Sequence, residues 1–331
     1  MTVRAAPRVV CVSVAPVHPA LDRSQSTAHD VPVRDSWTRA HLGLRGVPVS
    51  RLGLAPSYGV EARSVDEAFE RGVDFFFWGA IRRWGFGLAL RRLVRRHPGR
   101  VVVAIQSFVD SAFWLARSVD VARVRLGVDA IDLLCLAYRN TALDPRMWEA
   151  ALELRERGRV RALMISSHDR PVLVSLAGRD ALDAIMVRYN AAHRGAEAAV
   201  FPAAVAAGKG VLVYTATRWG SLLDPASIPA GERPPRASDC YRFDLGHDAV
   251  DACLIGPANE AELREALVAL ERGPMTDEER AWMIRVGDGV RAHRRAAPPL
   301  GVTDYVRQAP SMAASLLRRG VTEDLMSRFN R

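Results

Sequence analysis

Several polar residues stand just where short apolar runs end, the places where a folded α/β chain presents chemistry. Arg188 closes the run 183–188, and His168 with Asp169 follows the run 160–166. Tyr138 and Arg139 follow 131–136, Gln106 closes 101–106, and Asp110 comes four residues later. Asn190, His193 and Arg218 extend the same set. Arginine offers a planar fork that grips a carboxylate or phosphate. Histidine, with an ordinary pKa near 6.5, is the natural proton shuttle at neutral pH. Arg188 as anion grip, His168 as shuttle, and Tyr138 or Asp110 as a second acid or base would make a proton-transfer site, with Gln106 beside them. Plain structural readings stand next to these. His168 can be a helix-entry residue whose neighbour Asp169 caps the turn at Arg170-Pro171, and Arg188 can pair with Glu197 or another rim acid. His193 reads as a surface loop residue.

The elements that would position these groups repeat along the chain. Strands are expected at 51–55, 72–77, 101–106, 131–136, 160–166, 183–188, 210–215 and 251–255. Amphipathic helices are expected near 64–71, 84–97, 112–126, 144–157, 171–179, 195–207, 237–245 and 260–272. Runs such as Val101-Val102-Val103-Ala104-Ile105 are apolar throughout, as in parallel strands buried on both faces. Eight such units predict a (β/α)8 barrel, and no GxGxxG follows the first strand to suggest a dinucleotide-binding sheet. The stretch 42–54 reads as a hairpin entering the first strand, and 216–236 as a long, proline-containing loop after the seventh. Residues 1–40 read as a partly disordered extension, 41–293 as the barrel, and 294–331 as a helical tail packing on it.

Composition narrows the function classes. The chain has 331 residues and a net charge of +9, and Lys209 is its only lysine. The arginines are scattered, without an aromatic-interleaved basic stripe, which argues against a nucleic-acid binder. No run approaches the roughly 18 apolar residues of a membrane span. The short apolar piece 9–14 lacks a signal-peptide layout, so a cytoplasmic location is expected. Cys135 and Cys253 lie in apolar runs and read as buried thiols, and no His or Cys spacing suggests a metal site. Trp78, Trp84, Phe86 and Trp219 would form an aromatic wall at the mouth for a flat ligand, or simply pack the loops.

Across residues 41 to 272 the sequence resembles the aldo-keto reductase superfamily. The resemblance rests on LGLRGVPVSRLGLA at 42–55, AFERGVDFF at 68–76, RLGVDAIDLL at 125–134, WEAALELRERGRVRALMISS at 148–167, VRYNAAHRGAE at 187–197 and IGPANEAELREAL at 255–267. It implies an NADPH-dependent carbonyl reductase in which a tyrosine donates a proton, helped by a lysine, a histidine and an aspartate. At the matching positions this chain has other residues. The aspartate falls on Phe77, the tyrosine on Arg82 or Trp84, the lysine on Gln106 and the histidine on Ala137. Lys209 precedes the seventh strand, at the opposite mouth, and does not replace the missing lysine.

The cofactor positions implied by the resemblance are also altered. The Ser-Asn pair that grips the nicotinamide amide becomes Ser166-Ser167, the strand-six glutamine becomes Met186, and the stacking tyrosine is Tyr214. The basic positions that read the 2′-phosphate fall on Gly256 or Ala258 and on Glu262. No cofactor is therefore favoured; if NADP(H) binds, Ser166, Ser167, Tyr214 and Arg218 with the 215–220 backbone would hold it. Counting along alternate residues from these positions turns Gln106, Ala137, Ser167, Met186 and Arg188 toward the site. The expectation is a barrel protein without carbonyl reductase activity, acting on an anionic or aromatic small molecule by proton transfer, elimination or cyclisation. A reductase with a relocated proton donor such as Tyr138, and a non-catalytic binding or regulatory subunit, are the alternatives. The sequence leaves the oligomeric state open.

Overall fold

The structure, a computed structural model, describes residues 36–56, 59–60, 62–79, 84–137, 139–140 and 143–296. The tail 297–331 and nearly all of the expected N-terminal extension lie outside the described residues, as do Tyr138 and Arg82. A hairpin of β1 (Arg39–Leu42) and β2 (Val47–Ser50) turns on Gly43 and Gly46, both at positive φ. Eight parallel strands then close a barrel: β3 (Leu52–Leu54), β4 (Phe75–Gly79), β5 (Val102–Ser107), β6 (Ile131–Leu136), β7 (Val160–Ser167), β8 (Ala184–Arg188), β9 (Gly210–Tyr214) and β10 (Ala252–Ile255). The strand order follows the chain, and β10 pairs with β3 to close it. The (β/α)8 expectation is borne out, because every strand is long enough to pair yet too short to be a helix.

An α-helix follows each of β3 to β9: α1 (Ala62–Glu70), α2 (Trp84–Arg96), α3 (Ala112–Leu126), α4 (Pro145–Glu156), α5 (Arg170–Ala177), α6 (Val200–Ala206) and α7 (Ala237–Leu245). They are followed, beyond β10, by α8 (Glu260–Arg272) and α9 (Asp277–Ala296). Two hydrophobic layers result. The larger lies between strands and helices; the smaller fills the barrel with Phe75, Phe77, Ala104, Leu133, Cys135, Met164, Met186, Leu212 and Tyr214. The hairpin seals the N-terminal end. A Cβ on Gly210 would stand 2.4 Å from the Gly43 nitrogen, and one on Gly43 the same distance from the Asp183 carbonyl oxygen. Lys209 is buried there, at the mouth opposite the β-strand C-termini, with Asp180 and Asp183 as its charge partners. Arg51, 1 % exposed, ties β3 to the β9–β10 connection by donating to the carbonyls of Leu245, Val250 and Asp251.

Alternation along β4 sends Phe75 and Phe77 inward and Phe76 and Trp78 outward. Trp78 packs on α2, where a Cβ at Gly87 would stand 2.6 Å from its indole. Phe86 joins the same outer layer, its ring 6.5 Å from Phe76. The aromatic wall expected at the mouth is thus corrected: Trp78 and Phe86 pack the barrel to a helix. The side chain of Trp84 lies outside the described residues, leaving Trp219 as the mouth tryptophan.

Asp244 on α7 is fully buried; its Oδ2 accepts the Cys253 thiol at 3.7 Å and its Oδ1 has no partner among the described residues. Burial raises its pKa well above the carboxylate range, so stability is lost as pH rises from the unfolded toward the folded value. Asp244→Asn is expected to melt higher than wild type at pH 8 by roughly 2–8 °C, with a smaller gain at pH 5. Equal melting shifts at both pH values would contradict a titrating Asp244.

Candidate functional site at the C-terminal mouth of the barrel

The residues at the inner-face ends of β4 to β9 are Gly79, Gln106, Ala137, Ser166, Arg188 and Tyr214. Of the residues that alternation was expected to turn inward, one is corrected. Ser166 shares the parity of Ala162 and Met164 and faces inward, whereas Ser167 faces the loops. Ser167 Oγ donates to Asn140 Oδ1 at 3.0 Å and accepts from the Asp169 nitrogen at 2.9 Å. Its role is to shape the β7–α5 turn. Ser166 Oγ and Gln106 Nε2 are both buried and without a hydrogen-bond partner among the described residues. Buried polar atoms of this kind are expensive unless something completes them.

Phe77 occupies the position where the resemblance implies an aspartate, and it is 4 % exposed within the barrel interior. Ala137 is likewise buried at the end of β6. Phe77, Met186 and Tyr214 therefore form an apolar floor, interrupted by Ser166 and Gln106.

Above that floor, His168 and Tyr214 meet. Tyr214 Oη lies 3.2 Å from His168 Nδ1, with donor and acceptor set by the tautomer. The helix-entry reading of this turn also holds, one residue along: Asp169 Oδ1 caps α5 by accepting from the Val172 nitrogen at 3.2 Å. The cap fixes the backbone, and the His168 ring is left to turn inward. Burial lowers the His168 pKa, and the guanidinium of Arg188 lowers it further. His168 is therefore neutral at physiological pH and ready to accept a proton.

Arg188 stands in register with Tyr214 on the neighbouring strand, its guanidinium 5.7 Å from the centre of the Trp219 ring. Its half-buried position lowers its own pKa, Tyr214 opposing the fall and Arg170 adding to it. Glu197, the ion-pair partner considered for it, serves elsewhere. Its Oε1 accepts from Tyr189 at 2.5 Å and lies 4.0 Å from Arg280.

His193 is corrected from a surface loop residue to a half-buried one. It bridges to Asn190, whose Nδ2 donates to the Thr215 carbonyl at 2.9 Å. Desolvation pushes its pKa down to about 3, helped by Arg188, Arg170, Arg218 and Arg291. Arg170 was not among the residues expected here. Its guanidinium lies over Gly195, where a Cβ would stand 1.9 Å from Nη1. The available signal was its place three residues past the end of β7, at the first turn of α5.

Asp110 does not join His168. It is an exposed carboxylate ion-paired with Arg139, which also donates to the Val109 carbonyl. Tyr138, the other candidate acid, lies outside the described residues. After β9 the chain passes through three non-glycine residues at positive φ, Thr215, Arg218 and Trp219. Held left-handed backbone of this sort is costly and clusters where loops serve a ligand. Among the described residues no group of three or more His, Cys, Asp or Glu is placed to hold a metal, and no helix is long and apolar enough to cross a membrane.

The aldo/keto reductase family model matches residues 100–239. Among solved structures, the holo form of aldo-keto reductase AKR11C1 from Bacillus halodurans is similar with a TM-score of 0.65 and 24% identity, covering 75% of this chain and 96% of that one. Its apo form gives a TM-score of 0.64 and 24% identity, over 75% and 95%. No curated protein sequence matches the chain. The resemblance read from the sequence is borne out: this is an aldo-keto reductase-like barrel.

That relationship raises NADP(H), and the residues at its two ends can be tested separately. At the nicotinamide end, the orphaned Ser166 Oγ suits an amide, but the glutamine position holds Met186. At the 2′-phosphate end, Glu262 Oε2 accepts from the Ala258 nitrogen at 2.8 Å and Oε1 from Asn259 Nδ2 at 3.1 Å. Where the resemblance implies cations that read a phosphate, this chain has a carboxylate, and like charges repel. Ser166 thus suits the cofactor's amide, while Met186 and Glu262 depart from the residues that the resemblance implies.

Proposed function

We propose that this barrel is a non-redox enzyme in which Arg188 grips an anionic small molecule and His168 moves a proton. The observation that carries this reading is the His168–Tyr214 pair at 3.2 Å, set beside Arg188 on the adjoining strand. A base at neutral pH must be unprotonated, its ring must be held in place, and a substrate must lie within reach. Burial and Arg188 keep the ring unprotonated, the Tyr214 hydroxyl holds it through Nδ1, and the Arg188 fork holds the substrate. With its proton accepted from the ligand, His168 becomes the acid that returns it to a second atom or to a leaving group. Proton transfer, elimination and cyclisation all need that sequence and no hydride. The absence of an acid-lysine pair at Phe77, Gln106 and Ala137 supports this reading over reduction of a carbonyl.

A melting screen of carboxylate and phosphate metabolites against wild type and Arg188→Met tests the reading. Compounds that stabilise wild type and not the variant are expected. A set of ligands indifferent to Arg188, or stabilising neutral compounds only, would overturn it.

A further inference from the structure

We propose that the outer face of α2 and α3 is a docking surface for an anionic lipid bilayer. Apolar side chains run along that face in the open. On α3, Phe113 and Trp114 are 62 % and 60 % exposed and Val124 is 75 % exposed, with Val121 between them and an exposed Leu88 on the neighbouring α2. Phe113, Arg117, Val121 and Val124 follow one another at steps of four, four and three residues, so they share one side of the helix. The other side holds Leu115, Val119, Ala122 and Leu126, which are buried against the barrel. α3 is thus apolar on two sides, and the fold uses only one of them. The Phe113 and Trp114 rings stand 5.1 Å apart, edge to face, and apolar surface gathered in this way marks an interaction site.

The charge around this stripe is one-sided. α2 carries four arginines and α3 three, while Asp120 is the one acid on either helix and is held by Arg123 and Arg159. Arg92 and Arg95 are exposed and make no ion pair among the described residues. The Arg117 guanidinium lies 6.0 Å from the centre of the Phe113 ring, so cation and apolar surface are presented together. A second copy of the same face would set arginines against arginines, and the partner is therefore negative. It is also flat. Arg91 Nη1 donates to the carbonyls of Val124 and Arg125 at 3.3 and 3.2 Å, closing the gap between the helices at that end. A partner helix needs a groove. A bilayer needs a plane from which arginines reach headgroups while aromatic rings enter the interface. The contact is peripheral, since no described helix is long and apolar enough to cross a membrane.

The test is co-flotation of the full chain with vesicles of phosphatidylglycerol and phosphatidylcholine in equal parts, or of phosphatidylcholine alone, at low and at physiological salt. Binding is expected to the phosphatidylglycerol vesicles only, weakening as salt is raised. Arg92→Glu combined with Arg95→Glu should weaken it about 30-fold. Trp114→Ser should weaken it about tenfold without changing the charge. These positions are exposed, so both variants should melt near the wild-type temperature. Binding to neither vesicle, equal binding to both, or binding that survives either variant would overturn the proposal. A vesicle-free dimer that Trp114→Ser breaks would overturn it by giving the face to a second copy. Binding of soluble poly-glutamate without binding of vesicles would overturn it by giving the face to an acidic protein.

Discussion

Replacing His168 with glutamine is expected to lower turnover by about 100- to 10,000-fold while changing ligand affinity little. Glutamine keeps a polar group that can reach Tyr214, so the turn and its Asp169 cap should survive, but it cannot take up a proton at neutral pH. Tyr214→Phe removes only the group that orients the ring and should cost less. The pH profile carries the more specific expectation. A base whose pKa is lowered by burial and by Arg188 loses activity as pH falls through a value below the ordinary 6.5. The acid limb of the rate profile should therefore lie below that of free imidazole and vanish in the glutamine variant. These rates are to be measured on a ligand found through Arg188-dependent stabilisation. An unchanged acid limb in His168→Gln would remove His168 from the chemistry.

The second large effect is expected at Arg188. Arg188→Met should weaken the anionic ligand about 10- to 100-fold, the value of one to two hydrogen bonds to a charged group. Methionine keeps an unbranched apolar stem against Trp219 while removing the charge. Loss of the cation should also raise the pKa of both His168 and His193, because Arg188 lowers both. Histidine NMR titrations of wild type and variant read that movement directly. A variant that melts far lower and binds as before would make Arg188 a structural residue.

The barrel was legible because its signals are local. Val101–Ile105, Ile131–Leu136 and the other runs are apolar on both faces, and each is followed by a helix of the right length. That same feature hid the orientation of single side chains. When Phe75, Phe76, Phe77 and Trp78 are all apolar, alternation has nothing to anchor it, and Trp78 could be assigned to the mouth although it packs on Gly87. The same uncertainty turned Ser167 toward the site by alternation, although it is Ser166 that faces inward. Arg188, His168 and Gln106 were found because each follows an apolar run at its C-terminal end. Arg170 was missed, and His193 set aside as a surface residue, because their places depend on how two loops fold together. No sequence spacing records the Asn190–Thr215 tie or the seat of Arg170 over Gly195.

The most direct test of a non-redox mouth is a titration of the purified full chain with NADPH, followed by nicotinamide fluorescence into the millimolar range. With Met186 and Glu262 at the positions where the resemblance implies an amide and a cation, no saturable enhancement is predicted. A saturable enhancement would show a nicotinamide seated in the barrel and would return the protein to the reductases.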